Sequence, residues 1–188
     1  MNFMTGFLSQ LTPTIKTQLF KYRYDIFVEK LGWGLKTREG VETDQFDHDD
    51  TLYVVAKDDS NDVVGCARLL PTTEPYLLEE VFPELLNGQD IPKSHEVWEI
   101  SRFTNAMVNQ DTEGKYVGEK GQVYELSFSK LLKEAIQCAK DHGAKKLISV
   151  SPIGIERLLR KAGISSHRAG PPLIINGHAL IACWIDIN

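Results

Sequence analysis

The chain has 188 residues and a mass of 21.2 kDa, a length that suits one domain with a core built without metal or disulfide staples. Its 42% apolar and 25% charged residues are ordinary globular composition, and a net charge of −5 with a pI near 5.6 argues against a general nucleic-acid binder. The average conceals a split: residues 128–170 hold nine basic and three acidic residues, a net +6, and the remainder holds 12 against 23, a net −11, a polarity that suits two faces for two differently charged partners.

Residues 12–31 read as a helix. Thr12 can cap it, Pro13 suits its first turn, Leu19, Tyr22, Phe27 and Leu31 recur at helical spacing, and Gly32 stands where a helix ends. An acidic loop over 33–50 follows. TLYVVAKD, the turn SND and VVGCARLL then give a strand–turn–strand signal. A short helix is expected over 77–86, a strand over 95–103, and a long, mobile loop over 104–121. Residues 122–142 carry the clearest helix, with Tyr124, Phe128, Leu131, Leu132, Ala135 and Ala139 as its apolar stripe. KKLISVS reads as a buried strand, 153–162 as a helix stopped by Gly163, and Asn176-Gly177 between two apolar runs as a hairpin. We therefore expect a single domain over 1–188 of the α/β (α+β) class: an α/β/α sandwich around a mixed, mostly antiparallel sheet. GNAT acyltransferases share this order of elements.

No apolar run approaches the ~20 residues that span a bilayer, and MNFMTGFLSQ lacks the features of a secretory signal. Cys66, Cys138 and Cys183 form no CxxC pair, so no metal site or disulfide framework is suggested, and a cytoplasmic location is expected.

Three constellations could carry chemistry. Arg23 and Phe27 are four apart on one helix face, and Trp33 lies close to the acids Glu42, Asp44, Asp47, Asp49 and Asp50. Spacing alone favours a solvated Arg beside a core Phe and a solvated charge run. An aromatic face beside carboxylates is also a receptor for an organic cation such as a sulfonium. The acidic stretch lacks the register of a calcium loop. The second constellation is Arg68 in GCARLLP with Glu99, Ser101 and Arg102 in WEISRF. Strand alternation puts Glu99 and Ser101 on one face and Trp98, Ile100 and Arg102 on the other. A structural Arg68–Glu99 ion pair and a general-base Glu99 are equally compatible with the pattern. The third is the basic cluster Lys145, Lys146, Arg157, Arg160 and Lys161, either a solubilising surface or a landing site for an acidic partner.

These residues, taken in order, resemble the acyl-homoserine-lactone synthase family, the LuxI-type autoinducer synthases. The resemblance runs through YRYDIFVEKLGW (22–33), DQFDHDDTLYVVA (44–56), GCARLLPTTEPYLLEEVFPEL (65–85), WEISRF (98–103) and IGIERLLRKAG. It implies a GNAT-like fold and two substrates, S-adenosylmethionine and an acyl group on an acidic acyl carrier protein. Amide formation on the amine of S-adenosylmethionine is followed by lactone closure and loss of 5′-methylthioadenosine, making a quorum-sensing signal.

On this resemblance, Glu99, Ser101, Arg102, Asp47 and Arg68 are the catalytic set, with Glu99 deprotonating the amine directly or through water. Arg23, Phe27, Trp33, Asp44, Asp47, Phe82, Arg102 and Phe103 bind S-adenosylmethionine. Leu147, Ser149 and Ser151 line the acyl pocket, and a hydroxyl at Ser149 matches a position associated with 3-oxo-acyl preference. Lys145, Lys146, Arg157 and Lys161 dock the carrier. No cofactor, nucleic acid or membrane is expected to take part, S-adenosylmethionine being a substrate, and a monomer is the expected state. The alternative is a GNAT-type N-acyltransferase using acyl-CoA. That class usually shows a Gly-rich loop opening a helix, and VGEKGQ (117–122) is sparse in glycine.

Overall fold

The computed structural model describes residues 2–105, 116–117, 123–124 and 128–187. It divides into two compact units: 1–68 with 102–135, and 69–101 with 136–188.

The first unit opens with a strand that the sequence pattern did not announce, β1 (Asn2–Phe7), paired antiparallel with β2 (Leu52–Lys57) so that Asn2 faces Lys57 and Phe7 faces Leu52. Its neighbours are β3 (Val63–Pro71) and β4 (Val97–Asn105), which contribute residues to both units, in the order β1-β2-β3-β4. Helix α1 (Pro13–Arg23) starts where Thr12 accepts the Ile15 amide, with Pro at the first turn. It packs Leu19 and Ile15 against Leu8, Leu11, Tyr53, Val55, Val63 and Cys66. The helical path then widens into a π-helix over Tyr24–Lys30, where the Leu31 amide reaches back five residues to the Ile26 carbonyl. Such wide turns recur at functional sites because the extra residue re-aims the side chains around it. Gly32 ends it at φ +64, as expected.

The second unit orders its strands β3-β4-β7-β10-β8. Here β7 (Lys146–Pro152) runs parallel to β4, and β10 (His178–Asp186) runs antiparallel to β7, β8 (Ser166–Arg168) and β9 (Leu173–Ile175). The sheet is therefore mixed and mostly antiparallel. Asn176 at φ +51 and Gly177 at φ +83 form the tight β9–β10 turn, the two positive φ values that Asn-Gly tolerates. The expected helix over 77–86 is α2 (Leu77–Val81) followed by a 3₁₀ turn over Pro83–Leu86. Helix α4 spans Ile155–Lys161.

Helix α3 (Phe128–Asp141) is shorter than expected. Tyr124, assigned by periodicity to its stripe, belongs instead to β6 (Val123–Tyr124), antiparallel to β5 (Tyr116–Val117). Most of the loop expected over 104–121 lies outside the described residues. The rest of the stripe holds: Leu131, Leu132, Ala135 and Ala139 are buried, with Lys133, Glu134 and Lys140 outside.

Gly170 is required by a close approach in the second unit. A Cβ there would stand 2.6 Å from the Asn87 Cβ and 2.9 Å from the Leu85 carbonyl oxygen. Gly170→Ala should therefore destabilise the protein by about 1–3 kcal/mol, read as a lower thermal midpoint with unchanged far-UV circular dichroism.

Candidate functional site

The first unit buries a closed ionic network. Helix α1 ends on Arg23, the loop after the π-helix supplies Glu42, Asp44 and Asp47, β2 supplies Tyr53, β3 supplies Arg68, and β4 supplies Arg102. Arg23 Nε donates to Glu42 at 2.5 Å, and its Nη1 donates to Asp47 at 2.9 Å and to the Tyr53 hydroxyl, which in turn donates to Asp47. Arg68 Nη1 reaches Asp44 at 2.5 Å and Asp47 at 3.0 Å. Arg102 Nη2 donates to Glu42 at 3.0 Å and to Asp44 at 2.8 Å. The loop is stitched to itself as well, since Asp47 accepts the Asp44 amide and Asp44 the Phe46 amide, both at 2.9 Å.

Three guanidiniums thus meet three carboxylates, so the acidic stretch is not an open anionic receptor. Its inner half is neutralised, while Asp49 and Asp50 are exposed. Among the network acids Asp44 keeps the most solvent access, 15% against 1% for Glu42 and 2% for Asp47. Arg23 Nη2 is buried with no hydrogen-bond partner among the described residues.

Burial alone would raise the Asp47 carboxyl; the guanidiniums of Arg23 and Arg68 override it and hold the group well below the ordinary carboxylate range. Burial drives the Tyr53 phenol well above its usual value and pushes the Cys66 thiol up to about 12.

Aromatic rings border the network. Phe27 and the half-buried Trp33 stack with centroids 4.9 Å apart. The Arg102 guanidinium lies 5.5 Å from the Phe27 ring and that of Arg68 5.5 Å from Phe46. Phe103 packs on Phe128 at 5.1 Å. Arg102 holds φ +48 inside β4, a left-handed conformation costing about 1–2 kcal/mol for a side chain of this kind. Simple alternation therefore breaks at Arg102. Of the sequence-derived residues, this unit brings together Arg23, Phe27, Trp33, Asp44, Asp47, Arg68, Arg102 and Phe103. Glu42 and Tyr53 complete the network and were missed as site residues. Glu42 stood in the acidic run, but nothing in the spacing marked it as the carboxylate shared by Arg23 and Arg102.

In the second unit Glu99 is fully buried, and each of its carboxylate oxygens accepts a backbone amide at the start of α2, from Leu78 at 2.7 Å and Leu77 at 3.1 Å. Arg68 Nη1 is paired within the first unit with Asp44 and Asp47. Ser101 is buried beside Glu99 on β4, and Phe82 is half-buried where α2 ends. Leu147, Ser149 and Ser151 share one face of β7, opposite Ile185, Cys183 and Ile181 of β10, and Ser151 donates to Ser149 at 3.2 Å.

The basic cluster separates. Lys145 pairs with Glu96 at 2.5 Å, and Lys146 lies 3.9 Å from Asp186 and 4.9 Å from the Trp184 ring centroid, both lysines at the start of β7. Arg157 and Lys161 stand on α4, after the other end of β7, a strand of seven residues, about 20 Å long. Both are exposed, as is Arg160, and none of the three has an ion-pair partner among the described residues. No helix among the described residues is long and apolar enough to cross a membrane.

The depressed Asp47 carboxyl has a pH consequence. The stabilisation it brings is complete above the unfolded carboxylate value of about 4 and is lost as pH falls below it. Asp47→Asn should cost about 3–5 kcal/mol at neutral pH. The variant's denaturant midpoint should also fall less steeply than the parent's on acidification below about pH 4.

Residues 8–188 match the family model described as autoinducer synthase. The chain is 48% identical over 189 residues to an acyl-homoserine-lactone synthase of Acinetobacter baumannii, covering 100% of both chains. It superposes with a TM-score of 0.84 on TofI in a ternary complex with an inhibitor and MTA, at 42% identity, covering 100% of this chain and 92% of that one. It matches a CoA-dependent acyl-homoserine-lactone synthase, BjaI, with SAM and isopentyl-CoA, at a TM-score of 0.81 and 27% identity, covering 98% of this chain and 82% of that one. The mixed, mostly antiparallel sheet is that of the GNAT-like synthase fold. With the family model spanning nearly its whole length, this chain belongs to the autoinducer synthases, the acyl-homoserine-lactone synthases, and is an acyltransferase.

Proposed function

We propose that the chain transfers an acyl group from an acyl carrier protein to the amine of S-adenosylmethionine and closes the product to its lactone, releasing 5′-methylthioadenosine. The observation that carries the reading is the Arg–carboxylate network beside the Phe27–Trp33 stack. S-adenosylmethionine carries an ammonium, a sulfonium and a carboxylate. A half-buried aromatic face suits the sulfonium. Asp44, the network acid with most solvent access, suits a cationic group, and the guanidiniums suit the carboxylate. The rings of Phe27, Phe103 and Trp33 exclude water from the reacting groups.

The ammonium first gives up its proton to solvent. The neutral amine then attacks the thioester carbonyl carbon, the amide C–N bond forms, the acyl C–S bond breaks, and the carrier thiol leaves with the second nitrogen proton. The methionyl carboxylate then attacks its own γ carbon and the C–S bond breaks. The sulfonium is a good leaving group, so holding the reactive conformer is the main requirement of closure. Leu147, Ser149 and Ser151 offer a partly apolar strand face for the acyl chain.

The donor reading rests on Arg157, Arg160 and Lys161. These exposed cations lack ion-pair partners among the described residues, whereas Arg168 nearby is spent on Glu156 at 2.6 Å. They suit an acidic protein. Lys145 and Lys146, partnered and at the other end of β7, contribute less. The CoA-dependent neighbour makes acyl-CoA the second reading.

Incubation with S-adenosylmethionine and matched acyl-carrier and acyl-CoA panels tests both. We expect methylthioadenosine and lactone in equal amounts with carrier donors, and no methylthioadenosine from any donor would overturn the scheme. Arg157→Glu should raise KM for the acyl carrier at least tenfold while KM for S-adenosylmethionine stays within twofold. An equal rise in both would overturn carrier docking on α4.

A further inference from the structure

Glu99 is the carboxylate from which the sequence pattern suggests a proton acceptor, and its surroundings describe another task. Helix α2 has no cap of its own: Tyr76, at its N-cap, makes no capping side-chain hydrogen bond. The cap comes from β4. Glu99 Oε1 takes the Leu78 amide at 2.7 Å and Oε2 the Leu77 amide at 3.1 Å, so both carboxylate oxygens hold backbone. Two charge-assisted bonds of this kind offset the burial of a carboxylate with no solvent access.

The same segment is tied elsewhere by neutral and exposed contacts. The Tyr76 hydroxyl donates to the Pro92 carbonyl at 2.8 Å, Thr72 exchanges hydrogen bonds with Ser94 at 3.0 Å, and Lys93 pairs with Glu79 at 2.6 Å. The Glu99 bonds are the ones that meet α2 at its first turn, and Phe82 follows where the helix ends, its amide bonded to the Leu78 carbonyl at 3.3 Å. Leu78 is thus held by Glu99 through its amide and holds Phe82 through its carbonyl.

We infer that Glu99 is a positioning residue, which caps α2 from β4 and so sets Phe82, rather than the base that deprotonates the substrate amine. A general base needs a lone pair aimed at the proton it takes, directly or through one water. Protonating Glu99 would weaken both amide bonds and release the start of α2. The consequence for the reaction rests on the proposed function and on the family resemblance, which puts Phe82 among the residues that bind S-adenosylmethionine.

The backbone supplies a test that leaves Glu99 in place. Leu77 is the first helical residue, where Pro is accepted, and Tyr76 before it is extended at φ −141 and ψ 164, as a residue preceding Pro must be. Leu77→Pro therefore deletes one amide donor to Glu99, with Leu77→Ala controlling for the lost side chain. We expect Glu99→Gln to raise KM for S-adenosylmethionine about tenfold, to lower kcat less than threefold and to leave the pH dependence of kcat in place. Leu77→Pro should reproduce part of the KM effect relative to Leu77→Ala, and adding Glu99→Gln to Leu77→Pro, which keeps the Leu78 amide on Glu99, should worsen KM by clearly less than the tenfold that Glu99→Gln costs alone. A hundredfold fall in kcat for Glu99→Gln, with KM unchanged and the acidic limb of the profile abolished, would make Glu99 the base and overturn the inference. So would full additivity of the two substitutions.

Amide hydrogen exchange at Leu77 and Leu78 separates this inference from the choice of substrate. It should accelerate at least tenfold in Glu99→Gln whatever the enzyme acylates, and unchanged protection would overturn the cap itself. If exchange accelerates but wild-type protein makes lactone without S-adenosylmethionine, the substrate reading fails and the cap stands.

Discussion

The buried meeting of Arg23, Arg68 and Arg102 with Glu42, Asp44 and Asp47 is the constraint on which the first unit depends. Desolvating six charges is costly, and only a matched set with good geometry offsets it. The three arginines come from three different elements, the end of α1, β3 and β4, and all three carboxylates come from the loop over 42–47. Tyr53 of β2 closes the set through Arg23 and Asp47. Such a network adds little net stability over an apolar core of equal volume. It does select one arrangement of a loop that has almost no regular structure of its own, because any other leaves a buried charge unpaired. The positive φ of Arg102 fits this view, since a strained backbone persists where the surrounding contacts over-determine it.

This changes what the charge pattern means. The −11 outside residues 128–170 looks like an acidic pocket, yet Glu42, Asp44 and Asp47 are matched one for one by Arg23, Arg68 and Arg102, so the network is neutral and the net negative charge lies on other residues. A zwitterionic substrate with an added sulfonium fits a network of alternating charges better than it fits a purely anionic cavity. The +6 segment also resolves into two parts. Lys145 and Lys146 are partnered at one end of β7, while α4 presents its cations to solvent. The long-range field that would steer an acidic donor comes from the second part.

Local chemistry decided which elements were legible. The β9–β10 hairpin was readable because Asn-Gly encodes its turn, and the helical stretch of α1 and the π-helix because a capping Thr, an N-terminal Pro and the closing Gly32 agree. β1 was not readable: NFMTGF lacks clean alternation, and its pairing with β2 is a long-range choice. The start of α3 was misplaced because Tyr124 has helical spacing to Phe128 and Leu131 while its backbone pairs with Tyr116. The candidate site residues were named through family resemblance and motif order. Their partners were not, since no spacing rule connects Glu42 with Arg23 and Arg102, or Glu99 with the amides of Leu77 and Leu78.

The central claim is that the ionic network builds the S-adenosylmethionine site as well as holding the loop that carries it. Calorimetric titration of S-adenosylmethionine into Glu42→Gln, with the thermal midpoint measured on the same sample, tests this most directly. Glu42 contacts Arg23 and Arg102, and its substitution should disorder the network while keeping both side chains of the aromatic stack. The account predicts a lower midpoint together with at least a tenfold loss of affinity at temperatures where the variant remains folded. A lowered midpoint with wild-type affinity would contradict it, assigning the network to the fold alone.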